Sequence, residues 1–197
     1  MYTNVNEINA RSNESTISTG FLQLDSGLHG NGLSHITEIY GRERSGRTGL
    51  CFRLISQIEK PILWLSSSPL FDYNGKTNLM FKRIIDGSHL LQILNQQIPD
   101  FCKLIIIDSL SAIFSGLLPA EMPIFSMIIR RIRQLERNVI VVNRQISRSV
   151  KPALGSKWAS VPTTRIRLCE KLHELYSYRI TVEMQNSNEC HSFTCVV

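Results

Sequence analysis

The chain lacks the residues that mark several functional classes. Its five cysteines are odd in number and no two form C-x-x-C, so neither a disulfide framework nor a zinc site is indicated. Cys190-His191 with Cys195 has no fourth ligand, which leaves thiols in a reducing compartment as the default. No apolar run approaches the roughly 20 residues that span a bilayer; the most apolar stretch, Leu104 to Leu118, is interrupted by Asp108. The polar N-terminus has no apolar core of a secretory signal, so the sequon Asn13-Glu14-Ser15 is idle and no membrane association is expected. No internal repeat is present, which excludes solenoid architectures. Acids are fewer than bases, 16 against 22, giving a net charge of +6. That balance permits an acidic partner such as nucleic acid without establishing one.

What is present fits one globular domain. The 197 residues are 43% hydrophobic and 19% charged, enough for one core. Residues 1–16, rich in Asn, Ser, Thr and Glu, read as a disordered leader, and 17–197 as the core domain. A short helix carries Leu24 and Leu28 on one face. Strands are expected at 36–40, 62–65, 103–107 and 139–142, with helices over 47–59, 90–94 and 123–137 between them. Ile124, Ile128, Ile132 and Leu135 line the buried side of the last helix, with Arg130, Arg131, Arg133 and Arg137 on or beside a solvated side. Residues 70–83 show no legible pattern, and 146–162 read as a basic loop. Strands at 165–168, 178–184 and 193–197 close the chain. The continuous apolar strands suit a parallel sheet covered on both faces. The fold class is therefore α/β, a mainly parallel central sheet flanked by helices with antiparallel C-terminal strands.

The most informative stretch is His35 to Leu50, a strand, a loop and a helix start. Its loop, Gly41-Arg42-Glu43-Arg44-Ser45-Gly46-Arg47-Thr48, follows the phosphate-loop pattern G-x-x-x-x-G-K-S/T in that context, except that Arg47 stands where the pattern has Lys. Glycines let backbone N–H groups approach phosphate oxygens, the helix N-terminus adds its dipole, and a Thr hydroxyl holds Mg²⁺. Arg47 keeps the charge but is larger, planar and forked. Glu43 brings a carboxylate that repels phosphate unless it points away or pairs with Arg42 or Arg44. The bland alternative is a strand–turn–helix corner without a ligand.

Ligands in such sheets bind beyond the carboxyl ends of the strands, where Gly41, Ser66, Asp108 and Asn143 converge. Asp108, ending an apolar strand downstream of a phosphate loop, fits the metal-side partner of Thr48; its alternative is an anchor for the turn Ser109-Leu110-Ser111. Arg144, Arg148, Lys151 and Lys157 lie in or beside the loop after the 139–142 strand, with no acid between Asn143 and Ser160. Read alone, they make a basic stretch whose bland alternative is an ordinary solvated loop. Trp158 could stack on a base or pack locally.

Taken in order, these segments resemble the RecA/RadA recombinase family, in particular its eukaryotic paralogues. Ser18-Thr19-Gly20 with Leu24-Asp25 and Ile36-Thr37-Glu38-Ile39 is similar to that family's approach to its phosphate loop, and Leu104-Ile105-Ile106-Ile107-Asp108-Ser109 to its second nucleotide motif. Val141-Val142-Asn143-Arg144-Gln145-Ile146 resembles the strand that ends in a sensing Gln. Pro152-Ala153-Leu154-Gly155, Trp158, Pro162 and Thr164-Arg165 resemble the segment that follows, and lean towards the D-type paralogue of Swi/Shu-like complexes. The resemblance implies a RecA-like core and a nucleotide site at Gly41, Ser45, Gly46, Arg47, Thr48, Asp108 and Gln145. It also implies ATP with Mg²⁺ on Thr48 and Asp108, DNA on Arg144, Arg148, Lys151 and Lys157, and a nuclear location. Its implied partners are other paralogues, the recombinase itself and single-stranded DNA, in a hetero-oligomer. Two departures bear on activity. Arg47 replaces the loop Lys, and the family's catalytic Glu after the second core strand falls on Ser66-Ser67-Ser68, with no carboxylate before Asp72. An accessory paralogue with a degenerate nucleotide site and no catalytic residue of its own is the leading expectation. A DNA-dependent ATPase completed by a partner subunit, and a purely structural module, are the alternatives.

Overall fold

The computed structural model describes residues 17–28, 32–33, 35–69, 78–96, 98–114, 116, 119–146, 149–171, 177–184 and 190–196, with side chains beyond residue 169 described at 180–182 only. The leader expected over 1–16, Asp72 and Arg148 lie outside the described residues, as do the side chains of Cys190, His191 and Cys195.

The core is an α/β sheet built from apolar runs. Strands β1 (Ile36–Gly41), β2 (Ile62–Ser66), β3 (Leu79–Arg83), β4 (Leu104–Asp108) and β5 (Asn138–Arg144) are followed by β6 (Thr164–Lys171), β7 (Ser177–Met184) and β8 (Cys190–Val196). They form one sheet in the order β3-β2-β4-β5-β1-β6-β7-β8. Pairings from β3 through β6 are parallel, and β6-β7 and β7-β8 are antiparallel, as the apolar strands and the later cluster of strands lead one to expect. Every residue of β1 and β2 is buried, which explains why those strands show no polar alternation.

Helices α1 (Leu22–Gly27), α2 (Arg47–Gln57), α3 (Gly87–Asn95), α4 (Leu110–Ile113), α5 (Met122–Gln134) and α6 (Gly155–Ala159) cover the two faces. On one face α2 packs Leu50, Cys51, Leu54 and Ile55 against Ile39, Trp64, Ile106 and Val142, and Trp64 stacks on Phe52 at 4.6 Å between centroids. On the other, α3 and α5 cover Leu65, Ile105, Ile107 and Val141, together with Trp158. Helix α3 starts where the Asp86 side chain accepts from His89 N–H at 2.8 Å, and α5 carries Pro123 in its first turn, where a missing N–H costs nothing.

Several expectations are corrected. Strand β3 falls in the stretch without a legible pattern, and α4 and α6 were not expected as helices. Helix α5 ends at Gln134; Ile128, Ile132 and the capping Leu135 are buried as expected, Phe125 and Ile129 are buried beside them, and Ile124 is only part-buried. The arginines near it are not a simple solvated face. Arg131 Nε donates to Leu94 O at 2.8 Å and Arg133 Nη2 to Ser160 O at 3.0 Å. Arg137 donates to Pro99 O and Cys102 O, with Asp100 beside it. Arg130 is exposed.

Candidate nucleotide and nucleic-acid site

The site sits where the chain order of the sheet reverses. Strand β1 lies between β5 and β6, so its C-terminal end, that of β5 and that of neighbouring β4 lie side by side at one edge of the parallel strands. Gly41 ends β1, and a Cβ there would come within 2.6 Å of both Leu168 O and Ser45 Oγ. Glycine is therefore required by close approach. Gly46, which precedes α2, holds φ at +88°, a region that glycine enters without strain. Between them residues 42–45 form a turn, with Ser45 N–H donating to Arg42 O at 3.2 Å. Ser45 is buried, and its Oγ has no hydrogen-bond partner among the described residues. A buried hydroxyl left unpaired is costly, and a ligand oxygen at this loop would relieve it.

Thr48 Oγ1 donates to Asp108 Oδ2 at 2.9 Å, so the two residues expected to share a metal are in contact. Burial pushes the Asp108 carboxyl up, against the Thr48 hydrogen bond and the Arg47 charge, which favour its ionised form. Serine surrounds its backbone: Ser67 N–H donates to Asp108 O at 2.8 Å, and Ser109 N–H donates to Ser67 Oγ at 3.2 Å. The strand end where a water-orienting carboxylate is expected thus carries a hydroxyl engaged with the backbone.

Arg47 does not reach outward from the loop. Its Nη1 donates to the main-chain oxygen of Asn143, on β5, at 2.6 Å. Burial lowers its pKa. Asp108 and Glu43 favour its charge, and nearby Arg144 opposes it. Glu43 is exposed, and the cation that its charge supports is Arg47. The structure therefore brings Gly41, Ser45, Gly46, Arg47, Thr48, Asp108 and Arg144 together. Gln145 N–H donates to Gly41 O at 2.9 Å, but its side-chain amide donates to Ser149 O at 2.8 Å, inside the basic stretch. Lys151 is exposed, while Lys157 Nζ lies 3.4 Å from Ser126 Oγ on α5. Trp158 is fully buried, which selects packing, the plainer of the two readings, over stacking of its ring on a base. Its indole Nε1–H donates to Glu38 at 2.6 Å.

No protein-family model matches the chain. The RecA protein of Laribacter hongkongensis (strain HLHK9) is 41% identical over 58 residues, 28% of this chain. The match spans only 16% of that protein's length. A crystal structure of the RadB recombinase superposes with a TM-score of 0.72 at 18% identity, over 91% of this chain and 94% of that one. The fold is that of the RecA-like recombinases. Together the local sequence match and the fold support the RecA/RadA superfamily.

On this RecA-like frame the residues fit a phosphate ligand with Mg²⁺ in three respects: the glycine-shaped loop on a helix N-terminus, the unpartnered Ser45 hydroxyl, and the Thr48–Asp108 pair. Mg²⁺ bound there would supply Lewis-acid neutralisation of phosphate charge; Thr48 and Asp108 would hold it. Arg47 is the misfit, its guanidinium committed to β5. Among the described residues no group of three or more His, Cys, Asp or Glu side chains could hold a metal by itself, and no helix of the described residues is long and apolar enough to cross a membrane.

Sequence reasoning gave no role to Glu38. It is fully buried on β1 and bonded to Asn143, Trp158 and Arg165. One signal was there: a single acid inside the apolar run Ile36–Tyr40 must find donors, because a buried charge without them is prohibitive.

Proposed function

We propose that the chain is an accessory recombinase paralogue acting in homologous-recombination DNA repair in the nucleus. It assembles with other paralogues and with the recombinase, contacts single-stranded DNA through Arg144, Arg148, Lys151 and Lys157, and promotes filament assembly without turning over nucleotide efficiently. Likeness to RecA and RadB supports the recombination role. The observation that carries the accessory reading is the bond from Arg47 to the Asn143 carbonyl. A charged donor held this way contributes about 1.5–3 kcal/mol. Freeing it to meet a phosphate lowers apparent nucleotide affinity by about 10- to 150-fold. The serines at the end of β2 point the same way, since losing a general base costs about 10²–10⁴ in rate.

A second reading is an ATPase whose missing groups come from a partner subunit, favoured by the intact Thr48–Asp108 pair. Equilibrium binding of a fluorescent ATP analogue with Mg²⁺ separates the two. The accessory reading expects weak binding by the native chain, tighter binding by Arg47→Lys, and loss on adding Thr48→Ala. DNA-stimulated turnover of about 1 s⁻¹ by the isolated chain, abolished by Thr48→Ala, would overturn it.

A further inference from the structure

Among the described residues Glu38 alone combines a charge with full burial. A carboxylate inside a sheet persists only where donors surround it, and here three elements supply them. Asn143 Nδ2 donates from β5, Trp158 Nε1 from α6 at 2.6 Å, and Arg165 Nε from β6 at 2.8 Å. Two of these donors lead onward to the loops. The main-chain oxygen of Asn143 holds Arg47 of the phosphate loop at 2.6 Å. Its side-chain oxygen accepts from Ser111 N–H at 3.1 Å, and Ser111 Oγ accepts from Arg144 N–H at 2.9 Å. Trp158 lies at the far end of the basic stretch, on a helix that begins after Leu154 at φ +80°. Arg47 and Glu38 therefore meet on one residue, Asn143, through its main-chain oxygen and its side-chain amide respectively, and Glu38 carries the connection on to Trp158.

We propose that Glu38 is a positioning residue that couples the phosphate loop to residues 149–158 of the basic stretch, through Asn143 to Arg47 on one side and through Trp158 on the other. The choice of these two loops rests on the function proposed above; the coupling itself is a property of the ligand-free chain. When Arg47 leaves the Asn143 carbonyl for an anion, Asn143 loses one of its ties and the Glu38–Trp158 contact relaxes with it. A ligand that displaces the basic stretch pulls on Trp158 and loosens the seat of Arg47. Such coupling is reciprocal by linkage.

Hydrogen exchange on the full chain tests this with native protein, Trp158→Phe and Arg47→Ala. Trp158→Phe keeps an aromatic ring and removes the donor. It is expected to raise exchange about fivefold or more over residues 42–48 as well as over 154–161. Arg47→Ala is expected to do the same over 149–158. Leu104–Ile106, at the centre of the sheet, should not change. Changes confined to each variant's own segment overturn the proposal. Equal loosening of Leu104–Ile106 overturns it too, because Glu38 then serves general stability. Should Trp158→Phe fail to fold, Arg47→Ala, in a loop outside the sheet core, decides. In a second arm an ATP analogue with Mg²⁺, or a single-stranded oligonucleotide, is added to the native chain. Each should alter protection at the other's loop, and Trp158→Phe should remove the effect. Where neither ligand binds, the proposed function fails while the variants still decide the coupling.

Discussion

Replacing Glu38 by Ala tests how much of the fold depends on one buried charge. The change leaves Arg165, whose side chain is 13% exposed, without its partner, and strands the donors Trp158 Nε1 and Asn143 Nδ2. Breaking a buried ion pair from one side costs about 3–5 kcal/mol. Each stranded donor costs about 1–3 kcal/mol when isolated, though losses at one carboxylate overlap and do not add in full. A floor of about 3 kcal/mol is a large share of the 5–15 kcal/mol that holds a typical domain together. It corresponds to a drop in Tm of about 6–12 °C for a chain of this size. Urea unfolding followed by far-ultraviolet circular dichroism measures it directly. Glu38→Gln, which keeps the shape and one acceptor oxygen but turns an amide towards donors, should fall between native and Ala. A loss below about 1 kcal/mol for the Ala variant would refute the reasoning, since it would mean that water or another acceptor takes over the three donors.

Other expectations concern the loops and the helix arginines. If Arg144, Arg148, Lys151 and Lys157 all meet single-stranded phosphates, log K should fall with log salt at a slope of about −3, and each single Ala variant should reduce the slope by about 0.7; fluorescence anisotropy titrations at several salt concentrations read both. Burial raises the Asp108 carboxyl above its ordinary 3.8, so the folded chain holds that proton more firmly than the unfolded one. The contribution of Asp108 to stability is then highest below its ordinary value and declines as pH climbs above it. Asp108→Asn should gain on the native protein in thermal melts as pH rises from about 4. Gly41→Ala forces a Cβ to within 2.6 Å of a backbone oxygen and should cost about 1–3 kcal/mol, visible as a lower urea midpoint. Arg137→Ala removes donors from two carbonyls and should cost about 1–3 kcal/mol, whereas exposed Arg130→Ala should stay within about 0.5 kcal/mol in the same assay.

Much of the sheet was legible because strands buried on both faces carry an uninterrupted apolar signal. Ile105-Ile106-Ile107 and Val139 to Val142 could be little else, and the antiparallel end was visible in the later cluster of strands. Strand β3 was not, because Leu79–Arg83 is an edge strand whose residues are half-buried or exposed, so its sequence ends in Lys82-Arg83 without a core pattern. Helix α6 was hidden by its length of five residues and its left-handed start. The phosphate loop was readable from its glycines, and the placing of Thr48 beside Asp108 followed from the strand ends. Where Arg47 points was not readable, because its acceptor is a main-chain carbonyl 96 residues away. Arg130 and Arg133 are exposed as expected, but the carbonyl partners of Arg131 and Arg137 were hidden for the same reason: backbone carbonyls leave no trace in side-chain pattern.

The strand order also has a consequence for synthesis. Strand β1 has both its neighbours far downstream, Ile36 beside Val139 and Thr37 beside Thr164. On the ribosome the phosphate-loop strand therefore emerges early and waits about a hundred residues for its first partner. Pairings of such separation form slowly, and an apolar strand with open edges is exposed to aggregation meanwhile. The phosphate-loop strand joins the strand that carries Asp108 only when β5 slots between β4 and β1, so the strand that carries Asn143 and Arg144 is also the one that bridges the two halves of the site.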